Sequence, residues 1–251
     1  MSSGQRPAGS TASFGPRPAS TRADLPTGPE KTELVRSMFD AIAPRYDLVN
    51  RMMTFGLDMH WRRQSVRALG LPGGSRILDL ACGTGDFIRI LGAAGLRPLG
   101  MDLSSGMLAA NHTGAPLAQA DGARLPLRRA AVEGVTCGYA LRNFTDLGPV
   151  LDEIGRVVRP GGRISLLEVD EPRHRLLLAG HRIWFRRAVP RIGGLLSDGP
   201  AYRYLPESTA YLPSTAELRD LLGEAGFSGV NQRPLSGGLS QLVTATRRGR
   251  P

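Results

Sequence analysis

"LDLACGTGDF", residues 78–87, runs an apolar strand pattern straight into two glycines and then an acid. Gly83 and Gly85 fall where the strand has ended and a helix is about to begin. In an open α/β sheet a ligand lies beyond the carboxyl ends of the strands. Glycines at that place let the backbone come close to it. Gly-x-Gly alone does not choose the ligand, but three neighbours narrow it. A dinucleotide fingerprint asks for a third small residue at position 88, and this chain has Ile88. Asp86 at the helix start is favoured by the helix dipole, yet it would repel a pyrophosphate. Asp79 adds a second carboxylate inside the strand end. A cofactor carrying a sulfonium and an ammonium tolerates both acids, so the pattern points to S-adenosylmethionine over NAD or FAD.

Reading outward, the same rhythm repeats. "RILDLA" (76–81), "RPLGMD" (97–102), "APLAQA" (115–120), "VEGVTCGYA" (132–140) and "GRISLLEV" (162–169) are short apolar segments separated by helical or turn-like stretches. Alternation of this kind predicts an α/β fold with a doubly wound, mostly parallel sheet. "GFSGVNQRPL" and "LSQLVTATR" flank Ser236-Gly237-Gly238 and predict a closing antiparallel hairpin. Before the first strand, Leu34, Val35, Met38, Ile42 and Tyr46 keep a helical spacing that Pro44 interrupts. A second helix is predicted over 57–69, with Trp61, Ser65 and Ala68 on one side. Residues 1–30, rich in Ser, Pro, Gly and Ala, read as a disordered tail without the apolar centre of a signal peptide. Residues 31–251 read as one domain, with a helical lid inserted at about 172–212.

Composition limits the function classes. No run approaches the ~20 apolar residues of a membrane span. Net charge is +10, and Lys31 is the only lysine. The arginine skew, with abundant Ala and Gly, suggests GC-rich coding. A basic total permits nucleic-acid or anionic-membrane binding without proving either. Aromatic content of 6% and the lack of a stacking motif speak against nucleic acid. Cys82 and Cys137 sit on strand ends as small hydrophobes, and four scattered histidines offer no metal cluster.

The polar residues at the strand ends carry the rest. Asp102 ends the second strand, where an acid accepts from ribose hydroxyls; its competing role is to cap the helix starting near Ser104. Asp121 ends the third strand and can accept from an adenine amino group, although Asp121-Gly122 is also a natural turn. In "GYALRNFTD", residues 138–146, Arg142 and Asn143 arrive together where a strand ends. A cap accounts for one polar side chain there, not for a cation beside an amide. A guanidinium stabilises negative charge and is a poor base. An amide can orient a hydroxyl or a water.

At this point the sequence resembles the class I, Rossmann-like, S-adenosylmethionine-dependent methyltransferases. It is more specifically similar to the ubiquinone/menaquinone biosynthesis C-methyltransferases. The blocks that carry the likeness are "MFDAIAPRYDLVNRMMTFGLDMHWRR" (38–63), "LDLACGTGD" (78–86), "YALRNFTD" (139–146), "RVVRPGGR" (156–163), "PRIGGLLSD" (190–198) and "YRYLPES" (202–208). The resemblance implies methylation of a ring carbon of a lipophilic, prenylated quinol. Demethylmenaquinol is the expected acceptor, with the ubiquinone precursor as the alternative. It implies that Thr84, Asp102, Asp121 and Gly122 carry the cofactor, and together with Asp79, Gly83, Gly85, Leu103 and Gly138 these are the expected cofactor residues. Gly138 stands where the family usually has Ser. Arg142 and Asn143 would face the quinol, and Tyr46 would serve as a relay near the methyl; its competing role is core packing.

Between Pro172 and Tyr204 lie Arg173, Arg175, Arg182, Arg186, Arg187, Arg191 and Arg203, opposed by Asp198 alone. On a helix ended by Pro190, Arg175, Arg182 and Arg186 share a face, with Leu177, Trp184 and Ala188 opposite. That is either a solvated helix face or a peripheral contact with an anionic membrane at its inner, cytoplasmic side. A homodimer is a further expectation, and nucleic acid is not expected as a partner. A methyltransferase of specialised metabolism on a soluble substrate is the rival enzyme reading.

Overall fold

The computed structural model describes residues 26–172, 174–183 and 208–249. The expected tail through residue 25 lies outside these residues. So does most of the expected lid, including Arg173, Trp184, Arg186, Arg187, Ala188, Arg191 and Arg203.

Seven strands form one sheet: β1 (Arg76–Leu80), β2 (Arg97–Asp102), β3 (Leu117–Gln119), β4 (Val132–Gly138), β5 (Val158–Val169), β6 (Phe227–Leu235) and β7 (Ser240–Arg247). Their order is β3-β2-β1-β4-β5-β7-β6. β1 to β5 pair in parallel, and β7 runs antiparallel to both β5 and β6. The sequence pattern therefore found each strand and the closing hairpin. β3 is shorter than its apolar run, covering three residues at the sheet edge.

The helices are α1 (Gly28–Ile42), α2 (Tyr46–Thr54), α3 (Leu57–Leu69), α4 (Asp86–Ala93), α5 (Ser105–Ala109), α6 (Leu147–Val157), α7 (Arg175–Ile183) and α8 (Thr215–Glu224). α1 begins at Gly28, inside the segment assigned to the tail. Pro44 falls in a short 3-10 turn, Ala43–Arg45, that divides α1 from α2; a proline inside a helix removes one hydrogen bond and clashes with the turn before it. Ser214 and Glu217 close a capping box at the start of α8, which satisfies two amide donors that would otherwise lack partners.

Side chains alternate across each strand, so the sheet carries a core on each face. Leu78, Leu80, Val135 and Cys137 pack with Leu151, Ile154 and Leu222 from α6 and α8. Ile77 and Leu167 pack on the other face with Trp61, Leu69, Phe87 and Leu91 from α3 and α4. A fully buried side chain of this type contributes about 1.5–3 kcal/mol. α3 is also tied to β5 by a buried hydroxyl pair, Ser65 Oγ and Ser165 Oγ, 2.7 Å apart. A third cluster joins Val35, Met38, Ile42 and Val49 of α1 and α2 to Met107 of α5. There Asp40 accepts from Ser104 Oγ (2.6 Å) and from the Gly106 N–H (2.8 Å). The N-terminal helices are thereby fastened across the carboxyl ends of the strands.

Candidate active site

The chain runs β1, β2, β3 in one direction, then returns to place β4 on the other side of β1. The loops after β1 and β4 consequently diverge, and a crevice opens between them. α1 and α2 cover it. Its lining includes Tyr46, Arg62, Gly83, Thr84, Asp86, Asp102, Leu103, Asp121, Gly122, Gly138, Tyr139 and Asn143. Three predicted site residues, Asp79, Gly85 and Arg142, are not in that lining.

The glycine loop has a physical reason for each glycine. Gly85 has φ +92°, and a Cβ there would lie 2.5 Å from Thr113 Cγ2 and 2.7 Å from Asn111 Oδ1. It shapes the turn from behind. Gly83 faces the crevice, and its N–H donates to Asp102 Oδ2 (2.8 Å). Asp102 Oδ1 accepts from the Ser104 N–H (2.9 Å). Ser104 itself caps α5, its hydroxyl accepting from the Met107 N–H. Asp102 is therefore not the helix cap. A carboxylate has about four acceptor positions; what the amides leave is available to a ribose hydroxyl. Burial raises the Asp102 pKa, and the amide donors of Ser104, Gly83 and Leu103 restrain that rise. At the far end Asp121 Oδ1 accepts from the Ala123 N–H (2.9 Å), closing the expected turn. A Cβ on Gly122 would lie 2.9 Å from Phe144 Cε1, so a flat opening beside that ring depends on glycine.

Asp86, at the start of α4, takes ion pairs from Arg51 (3.1 Å) and Arg89. The place at a helix N-terminus that a pyrophosphate would need is filled by this carboxylate. Thr84 Oγ1 donates to Asp47 of α2. The donor set fits a group bearing a diol and positive charge. It does not fit a diphosphate.

Asp79 shares a face of β1 with Ile77 and is 1% exposed. Its Oδ1 accepts from Thr136 Oγ1 of β4 (2.8 Å), and its Oδ2 is buried with no hydrogen-bond partner. Burial pushes its pKa up to about 7, against the pull of the Thr136 hydroxyl and of Arg62.

Arg142, expected to face the ring, is 6% exposed and has its guanidinium engaged within the protein. It pairs with Glu168 at the end of β5 and donates to Tyr139 O (2.9 Å) and Ser208 Oγ (3.1 Å). Glu168 is 1% exposed. A carboxylate buried that deeply requires a cation against it, and spacing along the chain gives no sign of that demand. Asn143, next in the same 3-10 turn, does line the crevice, and its amide donates to Tyr139 O (3.4 Å). Tyr46 opens α2 and also lines it. Burial raises the Tyr46 pKa, only partly opposed by Arg62 and then Arg142. At neutral pH Tyr46 is a phenol, a hydrogen-bond donor.

The sequence reading missed Arg62 and Phe87. Arg62 is 5% exposed and stacks on Phe87 and Tyr139, 5.1 Å from each ring centroid. One signal was present: Arg62 stands three residues before Ser65 on the buried side of α3. Gly138 is explained by the same pair, since a Cβ there would lie 2.5 Å from Phe87 Cε2 and 2.8 Å from an Arg62 terminal nitrogen. Ala81 (φ +54°) and Tyr139 (φ +62°) turn the chain out of β1 and β4 and both line the crevice. Left-handed backbone in a residue with a Cβ costs on the order of 1–3 kcal/mol and concentrates at functional sites.

Among the described residues no group of histidine, cysteine and acidic side chains could hold a metal. His60, His112 and His174 are exposed, while Cys82 and Cys137 are buried and free. No helix among these residues is long and apolar enough to cross a membrane.

The sequence profile of the ubiE/COQ5 methyltransferase family matches residues 27–247. The chain is 41% identical to the ubiquinone/menaquinone biosynthesis C-methyltransferase UbiE of Syntrophotalea carbinolica, over 84% of this chain and 93% of that one. It is 38% identical to the demethylmenaquinone methyltransferase of Mycolicibacterium paratuberculosis, over 90% and 98%. Its fold is similar to a Thermotoga maritima S-adenosylmethionine-dependent methyltransferase, a possible histamine N-methyltransferase, with TM-score 0.61, 18% identity and coverage of 85% and 100%. Phosphoethanolamine N-methyltransferase 2 of Haemonchus contortus, in complex with S-adenosyl-L-methionine, is similar with TM-score 0.57, 13% identity and coverage of 76% and 53%.

Two outcomes are expected from this geometry. Arg142→Met leaves Glu168 buried without its cation and lowers unfolding free energy by about 3–5 kcal/mol. Adding Glu168→Gln regains at least half of it in urea titrations; an additive loss would contradict the pairing. For Asp79, the unfolded chain loses its proton near pH 3.9, while the native protein keeps it to about pH 7. The native state thus binds more protons across that window, so this residue's effect is to lower stability as pH rises through it. Asp79→Asn flattens that part of the stability profile and is the more stable form above about pH 8, by on the order of a few kcal/mol. Parallel profiles for the two proteins would refute the shift.

Proposed function

Because the chain belongs to the ubiE/COQ5 methyltransferase family, we propose that it methylates a ring carbon of a prenylated quinol, using S-adenosylmethionine as donor. The acceptor is demethylmenaquinol. The observation that carries the reading is the crevice at the carboxyl ends of β1, β2 and β4. It presents a diol acceptor, Asp102, at one side and hydrogen-bonding groups suited to a ring hydroxyl, Tyr46 and Asn143, at the other. Relatives named for demethylmenaquinone methylation support the acceptor. The benzoquinol of ubiquinone biosynthesis is the second reading, supported by the names of the UbiE relatives.

The bound donor supplies a methyl group on a positively charged sulfur. The protein's task is to align the ring carbon and to stabilise charge on the neighbouring oxygen. Asp102 takes the ribose hydroxyls, Asp121 and Gly122 border the adenine, and Thr84 and the Gly83 loop hold the methionyl side. Leu103 and Gly138 border the same molecule. Tyr46, kept as a phenol by burial, donates to the acceptor oxygen as negative charge develops. Asn143 orients the same oxygen or a water. Arg142 acts here as a positioning residue: its bond to Glu168 holds the turn that presents Asn143. The ring carbon gains a methyl group and loses one proton, which leaves to solvent through the crevice.

The prenyl tail leaves over α2. Tyr46 faces inward from this helix, while Leu48, Met52 and Phe55 are exposed at 54%, 40% and 70%. A spacing of four places Leu48 and Met52 on one side of the helix, and Phe55 follows at its C-terminal cap. They suit a peripheral contact at the inner face of a membrane, with the protein itself in the cytoplasm.

Methyl-labelled donor should label reduced demethylmenaquinone, more rapidly in anionic than in neutral vesicles. A reduced ubiquinone precursor and a soluble catechol, run alongside, decide between readings. Label only in the catechol makes this an enzyme of soluble substrates, and no label in any of the three ends the proposal. Tyr46→Phe is expected to lower kcat by about 10²-fold with donor affinity unchanged. Loss of donor affinity instead would move Tyr46 to the cofactor's side.

A further inference from the structure

We propose that Arg62 is the binding residue for the carboxylate of the methyl donor, an inference that rests on the donor reading above. The order of the strand ends fixes the direction of a long ligand. Asp121 and Gly122 follow β3, Asp102 ends β2, the Gly83 loop follows β1, and Gly138 ends β4. Neighbouring strands lie about 4.8 Å apart, so the row spans about 14 Å. With adenine at β3 and ribose at β2, the amino-acid end of the donor lies over β1 and β4. That end carries a carboxylate and needs a cation.

Arg62 is the cation at that place. A terminal nitrogen lies close to where a side chain on Gly138 would begin, and the guanidinium sits between the rings of Phe87 and Tyr139. Its nearest acids are too far for hydrogen bonds: Nε is 3.9 Å from Asp58 and 3.8 Å from Asp86. Asp58 is committed to Asn50 and Thr54, and Asp86 to Arg51 and Arg89. Nε is buried with no hydrogen-bond partner, while the residue borders the crevice.

A guanidinium has five N–H donors in a fixed fork. Burying it with those donors unused is costly, and a carboxylate entering the crevice satisfies two of them together. Other arginines of the site are engaged. Arg36, which also borders the crevice, bonds Glu33 and Asp40, and Arg142 bonds Glu168. Arg62 therefore brings unused charge-assisted donors to the amino-acid end of the ligand.

The test compares S-adenosylmethionine with its decarboxylated analogue by calorimetry, which needs no turnover. The wild-type protein should bind the carboxylated form about 10- to 100-fold more tightly, the worth of a charged hydrogen-bonded contact. Arg62→Met should weaken only that form and bring the ratio close to one. Arg62→Lys should keep part of the preference, because the charge survives and the fork does not. Equal affinities in the wild-type protein overturn the inference while leaving the donor reading intact, a result that needs no variant to fold. A variant that weakens both ligands equally also overturns it, by giving Arg62 a structural role alone. Binding of neither form by the wild-type protein removes the donor reading and this inference together.

Discussion

The reversal of strand order beside β1 is the constraint on which this molecule depends. Because β2 and β3 are laid on one side of β1 and β4 on the other, loops leaving the carboxyl edge must part there. No side chain can fill that gap from within the sheet. The chain closes it from above with α1 and α2, which are not part of the sheet's winding. The closure is polar as well as apolar. Asp40 bonds the start of α5, and Lys31, the single lysine, donates to Phe144 O (2.7 Å) and lies 3.5 Å over the Tyr211 ring. A cation is thus spent on holding the cover in place.

Charge in the crevice is arranged by which groups are paired. Asp86 gathers Arg51 and Arg89, and Glu168 holds Arg142 in a fold-forming pair. Asp79 retains its proton to about pH 7 because burial outweighs the pull of the Thr136 hydroxyl and of Arg62. Arg62 lies amid these groups without a hydrogen bond of its own among the described residues. The cation that a sequence motif advertises, Arg142, is the one already neutralised. The one inside an otherwise ordinary helix borders the ligand space. Buried polarity explains the exchange: each charge must find a partner or change protonation state, and the tertiary fold decides which one remains available.

The same logic separates what was legible from what was not. Strand and helix periods, the glycine loop and the Ser-Gly-Gly turn are local, and each named its element with boundaries close to those observed. Asp102 and Gly138 end strands and Asp121 and Gly122 closely follow one, so the sheet's direction made their place beside the crevice legible. Asn143 stood out beside Arg142 at a strand end, Tyr46 came from the likeness to a family, and both line the same crevice. Asp79 was seen as an acid near the ligand, but its burial behind Thr136 was not. The pairing of Arg142 was not legible, because its partner, Glu168, is 26 residues away in sequence. No periodicity links the two.

The sequence by itself determined a parallel sheet closed by a hairpin, a ligand loop after the first strand, and carboxylates in place of a diphosphate site. These follow from patterns that a strand, a turn or a helix end imposes on its own residues. Only the tertiary structure decided which polar groups meet across elements. It set Asp102 on the Gly83 amide, Arg142 on Glu168, and Arg62 between Phe87 and Tyr139 against Gly138. The physical reason is that desolvation and pairing act through space, between residues that the chain brings together only after the sheet has formed.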